Sequence, residues 1–264
     1  MLFRSYQGSP TPVTGYLSVG PKVGAFALIL RLFVETLGPL SDWWLPVMAV
    51  LAGLTMTLGN LVALTEDNVK RMLAYSSIAH TGYMLVGVVA YAADPTGRTD
   101  GLAALLYYGA AYAFMNLGAF AVIAALQKRA GVTSALGTFA GLGRREPLLG
   151  LLMTLFLLSL TGIPPTAGFF AKANVILAAV EAGGPATVLA VIAMLNAAAA
   201  AFYYLRVVVY MFMREPADRQ PVQHHGALLW GGLAVASAMT ILLGFFPTTL
   251  LDLADAAART LLAR

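Results

Sequence analysis

The stretch Leu158–Leu177, LSLTGIPPTAGFFAKANVIL, decides the fold. It is apolar enough for lipid, yet it holds adjacent prolines at 164 and 165 and a lysine at 172. Each proline lacks an N–H and cannot bond the carbonyl four residues earlier, so the carbonyls of Leu160 and Thr161 are freed. Gly162 and Gly168 allow unwinding and close packing there. In lipid such a break survives only where protein or water takes up the released backbone groups. Broken helices with an ionisable residue at mid-depth mark binding sites in transporters. Burial raises the cost of holding the ammonium charge, so a lysine in this setting can take up and release a proton.

Composition agrees with a membrane chain. The 264 residues are 59% hydrophobic and 11% charged, where soluble domains carry about 25% charged residues. There is no cysteine, which excludes disulfides, thiolate metal sites and cysteine nucleophiles. The net charge of +4 is no nucleic-acid signature, because the basic residues lie in loops between apolar blocks. The N-terminal MLFRSYQGSPTPVTGYLSVGPK does not read as a cleaved signal, lacking a short apolar core followed by small residues. No phosphate loop, dinucleotide fingerprint, haem motif or iron–sulfur spacing is present.

A membrane helix needs roughly 20 mostly apolar residues. Seven stretches qualify, near 13–36, 43–65, 68–91, 101–126, 148–180, 186–213 and 226–251. The expected fold is all-α and polytopic, with the fifth span broken at Pro164–Pro165. Alternate connections carry Arg4, Lys70, Arg71, Lys128, Arg129, Arg144, Arg145, Arg214 and Arg219; the others hold only Arg98, Arg259 and Arg264. By the positive-inside rule the richer side is cytoplasmic, so the chain begins inside and ends outside. All 12 acidic residues lie near span ends or in loops. No deeply buried carboxylate of this chain is therefore available to neutralise a buried lysine.

A second lysine, Lys22 in PKVGAFALIL (21–30), sits near the middle of the first span, directly after a proline. Thr11, Gly15, Ser18 and Lys22 share one helix face. That face turns apolar at Ala25, Phe26 and Ile29, so the polar stripe runs toward the cytoplasmic end only and forms half of a hydrated path. Snorkelling to an interface, or pairing with a neighbouring helix, is the plainer account of both lysines. His80 lies mid-span with Ser76, Ser77 and Tyr83 on its face. It suits proton handover by its near-neutral titration, and equally a packing role. Tyr108, Tyr112 and Asn116 form another polar stripe, either gluing helices or lining water. Arg31, near an outer span end, reads as snorkelling. Arg206 either snorkels or contacts Asn196, Tyr203 and Tyr210. His224, His225 and Asp218 share a loop without fixed metal-ligand geometry.

Five segments occur in a telling order: SPTPVTGYLSVGPK, NVKRMLAYSSIAHTGYMLVGVVAY, YYGAAYAFMNLGAFAVI, LSLTGIPPTAGFFAK and FYYLRVVVYMF. Together they closely resemble subunit N of bacterial NADH-quinone oxidoreductase (respiratory complex I), an antiporter-like membrane subunit related to subunits L and M and to Mrp-type antiporter subunits. The resemblance implies a fourteen-helix subunit with two inverted five-helix repeats, of which this chain matches the second part. Residues 1–264 form a single membrane domain on this reading. Span 13–36 closes the first repeat, 43–213 is the second repeat, and 226–251 is the terminal helix. Lys22 matches the central lysine of the eighth helix and Lys172 that of the broken twelfth, with His80 between them in a proton relay. The family's lysine in the seventh helix and glutamate in the fifth have no counterpart, as in a truncated or split gene product.

The implied role is proton translocation in the membrane arm, a translocase subunit without redox chemistry of its own. The resemblance implies no cofactor in this chain, with NADH, FMN, iron–sulfur clusters and quinone in partner subunits. The implied partners are M-like and K-like neighbours, the lipid bilayer and a separate chain supplying the first repeat; nucleic acid is not among them. The implied location is the bacterial inner membrane. The alternatives are an Mrp-type cation/proton antiporter subunit and a non-transporting assembly subunit. A seven-helix receptor leaves the double proline and central lysines without a reason.

Overall fold

A computed structural model describes residues 8–94, 99–127, 133–215 and 226–262. Among the described residues every regular element is helical. Helix α1 is Thr11–Ile29 and runs on through a π-helical turn, Leu30–Thr36. Then come α2 (Ser41–Thr65), α3 (Val69–Ala93), α4 (Asp100–Gln127), α5 (Pro147–Thr161), α6 (Ala167–Ala182), α7 (Gly184–Met213), α8 (Ala227–Phe245) and α9 (Pro247–Leu262). Six of these, α1, α2, α3, α4, α7 and α8, are long and apolar enough to cross a bilayer; α5 is a shorter apolar helix. At about 1.5 Å per residue neither α5 nor α6 spans the hydrocarbon core. They are the two halves of one broken crossing.

Helices α3 and α4 form the centre. α3 packs on α2, α4, α6 and α7, while α4 packs on α1, α3, α5, α6, α8 and α9. Both are buried around most of their circumference, whereas the surrounding helices bury one side. Their outward faces carry exposed Leu28, Leu54, Leu151, Leu195 and Leu228. An apolar surface of this extent belongs in lipid.

The basic end is sewn together by backbone. Asn68 caps α3 by accepting from the Arg71 N–H at 3.1 Å. Val69 N–H donates to the Ser134 carbonyl and Leu136 N–H to that of Asp67, both at 2.8 Å. Arg71 pairs with Glu66 at 2.7 Å. Arg206 reaches the Glu66 carbonyl and stands 3.6 Å from Asp67, so its side chain fastens this turn rather than bonding Asn196, Tyr203 or Tyr210. Arg31 is exposed, in keeping with a snorkelling side chain. Lys70, counted among the loop charges, instead turns inward and donates to the Ser9 carbonyl at 2.5 Å.

The last span is shorter than its expected range, 226–251. α8 ends at Phe245, and Pro247 opens a separate helix. The residue before a proline is pushed out of the helical region, and Phe246 sits at φ −126°, ψ 60°. α9 then sets Asp252, Asp255 and Arg259 against Leu250, Ala254 and Ala258, the pattern of a helix lying along an interface. His224, His225 and Asp218 lie outside the described residues.

Candidate functional site

The carbonyls freed by the double proline are the ones that hold Lys172. α5 ends in a Schellman turn, with Gly162 at φ +89°. Gly162 N–H donates to Ser159 O at 3.0 Å and Ile163 N–H to Leu158 O at 3.1 Å. This pattern satisfies two of the four terminal carbonyls. The other two, Leu160 and Thr161, each accept from Lys172 Nζ at 2.9 Å. The amine thus caps the negative end of the α5 dipole from α6, the other half of the same broken crossing. Gly168 makes this possible, because a Cβ there would stand 1.8 Å from the Ser159 carbonyl oxygen. The Gly168 N–H donates to Ser159 Oγ at 3.1 Å.

Lys22 meets the centre from the opposite side. It is half-buried, with its amine turned inward to the Ser77 carbonyl and to Ser77 Oγ at 2.5 Å. Its Nζ stands 4.9 Å from the centre of the Tyr112 ring. Lys172, 5% exposed, stands 5.1 Å from the centre of the Tyr83 ring. Aromatic faces stabilise desolvated cations by about 2 kcal/mol. Among the described residues no carboxylate pairs with either amine, as the distribution of acidic residues requires.

His80 lies between them, 2% exposed. Its Nδ1 is 2.7 Å from Tyr108 Oη and its Nε2 is 3.2 Å from Tyr204 Oη. Tyr204 also bonds Ser76. The imidazole packs 4.9 Å from the Tyr112 ring, and Tyr83 stacks on Tyr108 at 6.1 Å. A buried polar line therefore runs Lys22, Ser77 and Tyr112, His80, Tyr108 and Tyr83, Lys172, crossing α1, α3, α4 and α6. Beside it Tyr203 donates to Asn60 Oδ1 at 2.8 Å, and Asn60 donates to Asn196 Oδ1 at 2.9 Å.

All three expected residues thus fall on one axis, and the Tyr108–Tyr112–Asn116 stripe faces it. Ser77, noted only as a neighbour of His80, proves to be the partner of Lys22. Tyr204 was missed. Its signal was a hydroxyl two helical turns beyond Asn196 in the small-residue run NAAAAAFYY, but both Tyr203 and Tyr204 face inward, and the sequence does not say which of them meets His80.

A family model described as NADH:quinone oxidoreductase/Mrp antiporter, TM matches residues 2–217. The NADH-quinone oxidoreductase subunit N of Chloroflexus aggregans is 46% identical over 250 residues, covering 95% of this chain and 50% of that protein. A subunit N of Roseiflexus castenholzii is 49% identical over 251 residues, covering 94% and 49%. This chain spans about half the length of the curated relatives it matches. A chain of respiratory complex I from Thermus thermophilus superposes with TM-score 0.76 at 33% identity, over 94% of this chain and 52% of that one. A chain of the Mrp complex from Dietzia sp. gives TM-score 0.83 at 26% identity, over 99% and 55%.

Proposed function

Because the chain belongs to the NADH:quinone oxidoreductase/Mrp antiporter transmembrane family, we propose that it is a proton-translocating part of the membrane arm of an NADH-quinone oxidoreductase. The observation that carries the reading is the single buried line joining two amines through an imidazole. A proton taken up by Lys22 passes through ordered waters and His80 to Lys172, and leaves on the far side. The imidazole can accept at one nitrogen while it donates from the other, and its two tyrosine partners hold both nitrogens in place. Charging one amine disfavours charging the next, so protonation at one end is felt along the row. Oxidation of NADH and reduction of quinone, with FMN and iron–sulfur clusters, belong to other subunits.

The greater identity to subunit N than to the Mrp structure favours the oxidoreductase over a cation/proton antiporter. Residues 43–213 act as the second five-helix repeat, after the last helix of a first repeat at 13–36. A preceding segment or separate chain supplies that first repeat and a carboxylate for Lys22, with M-like and K-like subunits as outer neighbours. The site is a bacterial inner membrane, with the Lys70 end cytoplasmic. Lys172→Ala, in the complex that contains this chain, should leave assembly intact and lower proton translocation about a hundredfold. Assembly with unchanged translocation would instead identify a scaffold, and sodium-dependent transport the Mrp reading.

A further inference from the structure

We propose that the seam between α1 and α4 is the inlet through which water brings protons to Lys22, with Asn116 as its innermost water-binding group and Phe120 as the residue that closes it. The inference rests on the relay reading only for the direction of flow.

The seam is built of facing pairs at helical intervals. Lys22 lies on the Tyr112 ring. One turn toward the basic end, Asn116 Nδ2 donates to Ser18 Oγ at 2.7 Å. The next pair is apolar: a methyl at Gly15 would stand 3.1 Å from Phe120 Cβ. Beyond it the polar groups resume. Thr11 donates to Gln127 Oε1, Gln127 donates to Ser134 Oγ at 2.8 Å, and Ser9 and Thr14 share a hydrogen bond of 2.7 Å. Lys70 on the Ser9 carbonyl marks the mouth. Two polar layers are therefore separated by one phenylalanine.

Asn116 is completely buried, and its Oδ1 finds no partner among the described residues. Whichever way the amide is turned, one end meets Ser18 and the other is open. Leaving such an atom unserved costs about 1–3 kcal/mol, and buried polar atoms of this kind are usually served by water. Phe120 has somewhere to go. It borders a groove of about 510 Å³ between α1, α4 and α8, lined also by Gly15, Leu117, Gly231, Gly232 and Val235. Gly231 and Gly232, both exposed, put no side chain into it. With the ring swung into this groove, Thr14 and Ser18, neighbours one turn apart on the same face of α1 at about 5–6 Å, leave a gap that one water bridges. Proton delivery is then a relay of exchanges. The water on Asn116 gives a proton to the neutral Lys22 amine as its oxygen takes one from the next water outward, so no water is consumed.

The absence of cysteine from the chain gives a direct test. Ser18→Cys, in sealed vesicles holding the whole complex, is treated with a small charged methanethiosulfonate from the Lys70 side. Labelling should be slow beside the native phenylalanine and about tenfold or more faster with Phe120→Ala, because reaction tracks the open population. If that variant fails to assemble, Phe120→Leu should give an intermediate rate. Equal rates in all backgrounds, or labelling only from the opposite side, would overturn the inlet. The readout involves neither Lys172 nor transport, so a failed relay and a failed inlet are distinguishable.

Discussion

At Gly162 the backbone enters the left-handed region with the Lys172 stem beside it, so one small residue serves both the end of α5 and the amine that caps it. Gly162→Ala forces a side chain into that conformation, at about 1–2 kcal/mol, and sets a methyl 3.0 Å from Lys172 Cδ. Thermal unfolding in detergent should show the loss. Gly168→Ala should be worse, because its methyl meets a backbone carbonyl rather than a flexible stem; we expect failure of the chain to assemble. Tyr204→Phe removes one of the two partners of His80. A lost hydrogen bond of about 1 kcal/mol should slow proton transfer about fivefold, read as transport rate in vesicles at unchanged assembly. The role of Leu160 and Thr161 was readable because proline cannot donate to a fixed neighbour. The choice of Tyr204 was not, since it depends on how α7 is rotated against α3, which tertiary packing decides.

Among the elements, the broken crossing was legible from PP and GxxxxxG spacing alone, whereas the end of the last span was not. Apolar residues continue to Leu251, and hydropathy alone carries α8 past Phe246. The amphipathic face of α9 is visible only once Pro247 is taken as a helix start. That helix is tied down by Asp255, which accepts from Thr99 and from Arg259 Nε at 2.9 Å. These bonds, the Thr99 hydroxyl first, hold the Asp255 carboxyl below the usual carboxylate range. A depressed folded value means that the stabilisation is present above the ordinary carboxylate pKa, about 3.9. It declines as the pH falls below that ordinary value and is gone once the pH has passed the lower folded value. Protection of the α9 amides against exchange, taken relative to their intrinsic rates, should therefore be full near neutral pH and fall steadily as the pH drops through and below the ordinary carboxylate range. Asp255→Asn should loosen the helix at neutral pH.

For the whole molecule, seven crossings put the Lys70 end and α9 on opposite faces of the bilayer. Thr133→Cys and Thr260→Cys, both at exposed positions, should be labelled from opposite sides by an impermeant reagent, the first only from the cytoplasm. Labelling of both from one side would remove the proposed orientation. Composition and span length were enough to read the all-helical, multi-crossing fold. Lys70 was misjudged as a loop charge because its burial depends on the segment before α1 folding over it, a contact between distant parts of the chain.

The pairing of Lys172 with two carbonyls has a further consequence. An ammonium group carries three hydrogens and a neutral amine two. Both carbonyls stay satisfied in either state, so the third hydrogen is spare. The group can surrender it without any helix end losing a bond, and the charge can come and go on a framework that does not have to be rebuilt with each passage.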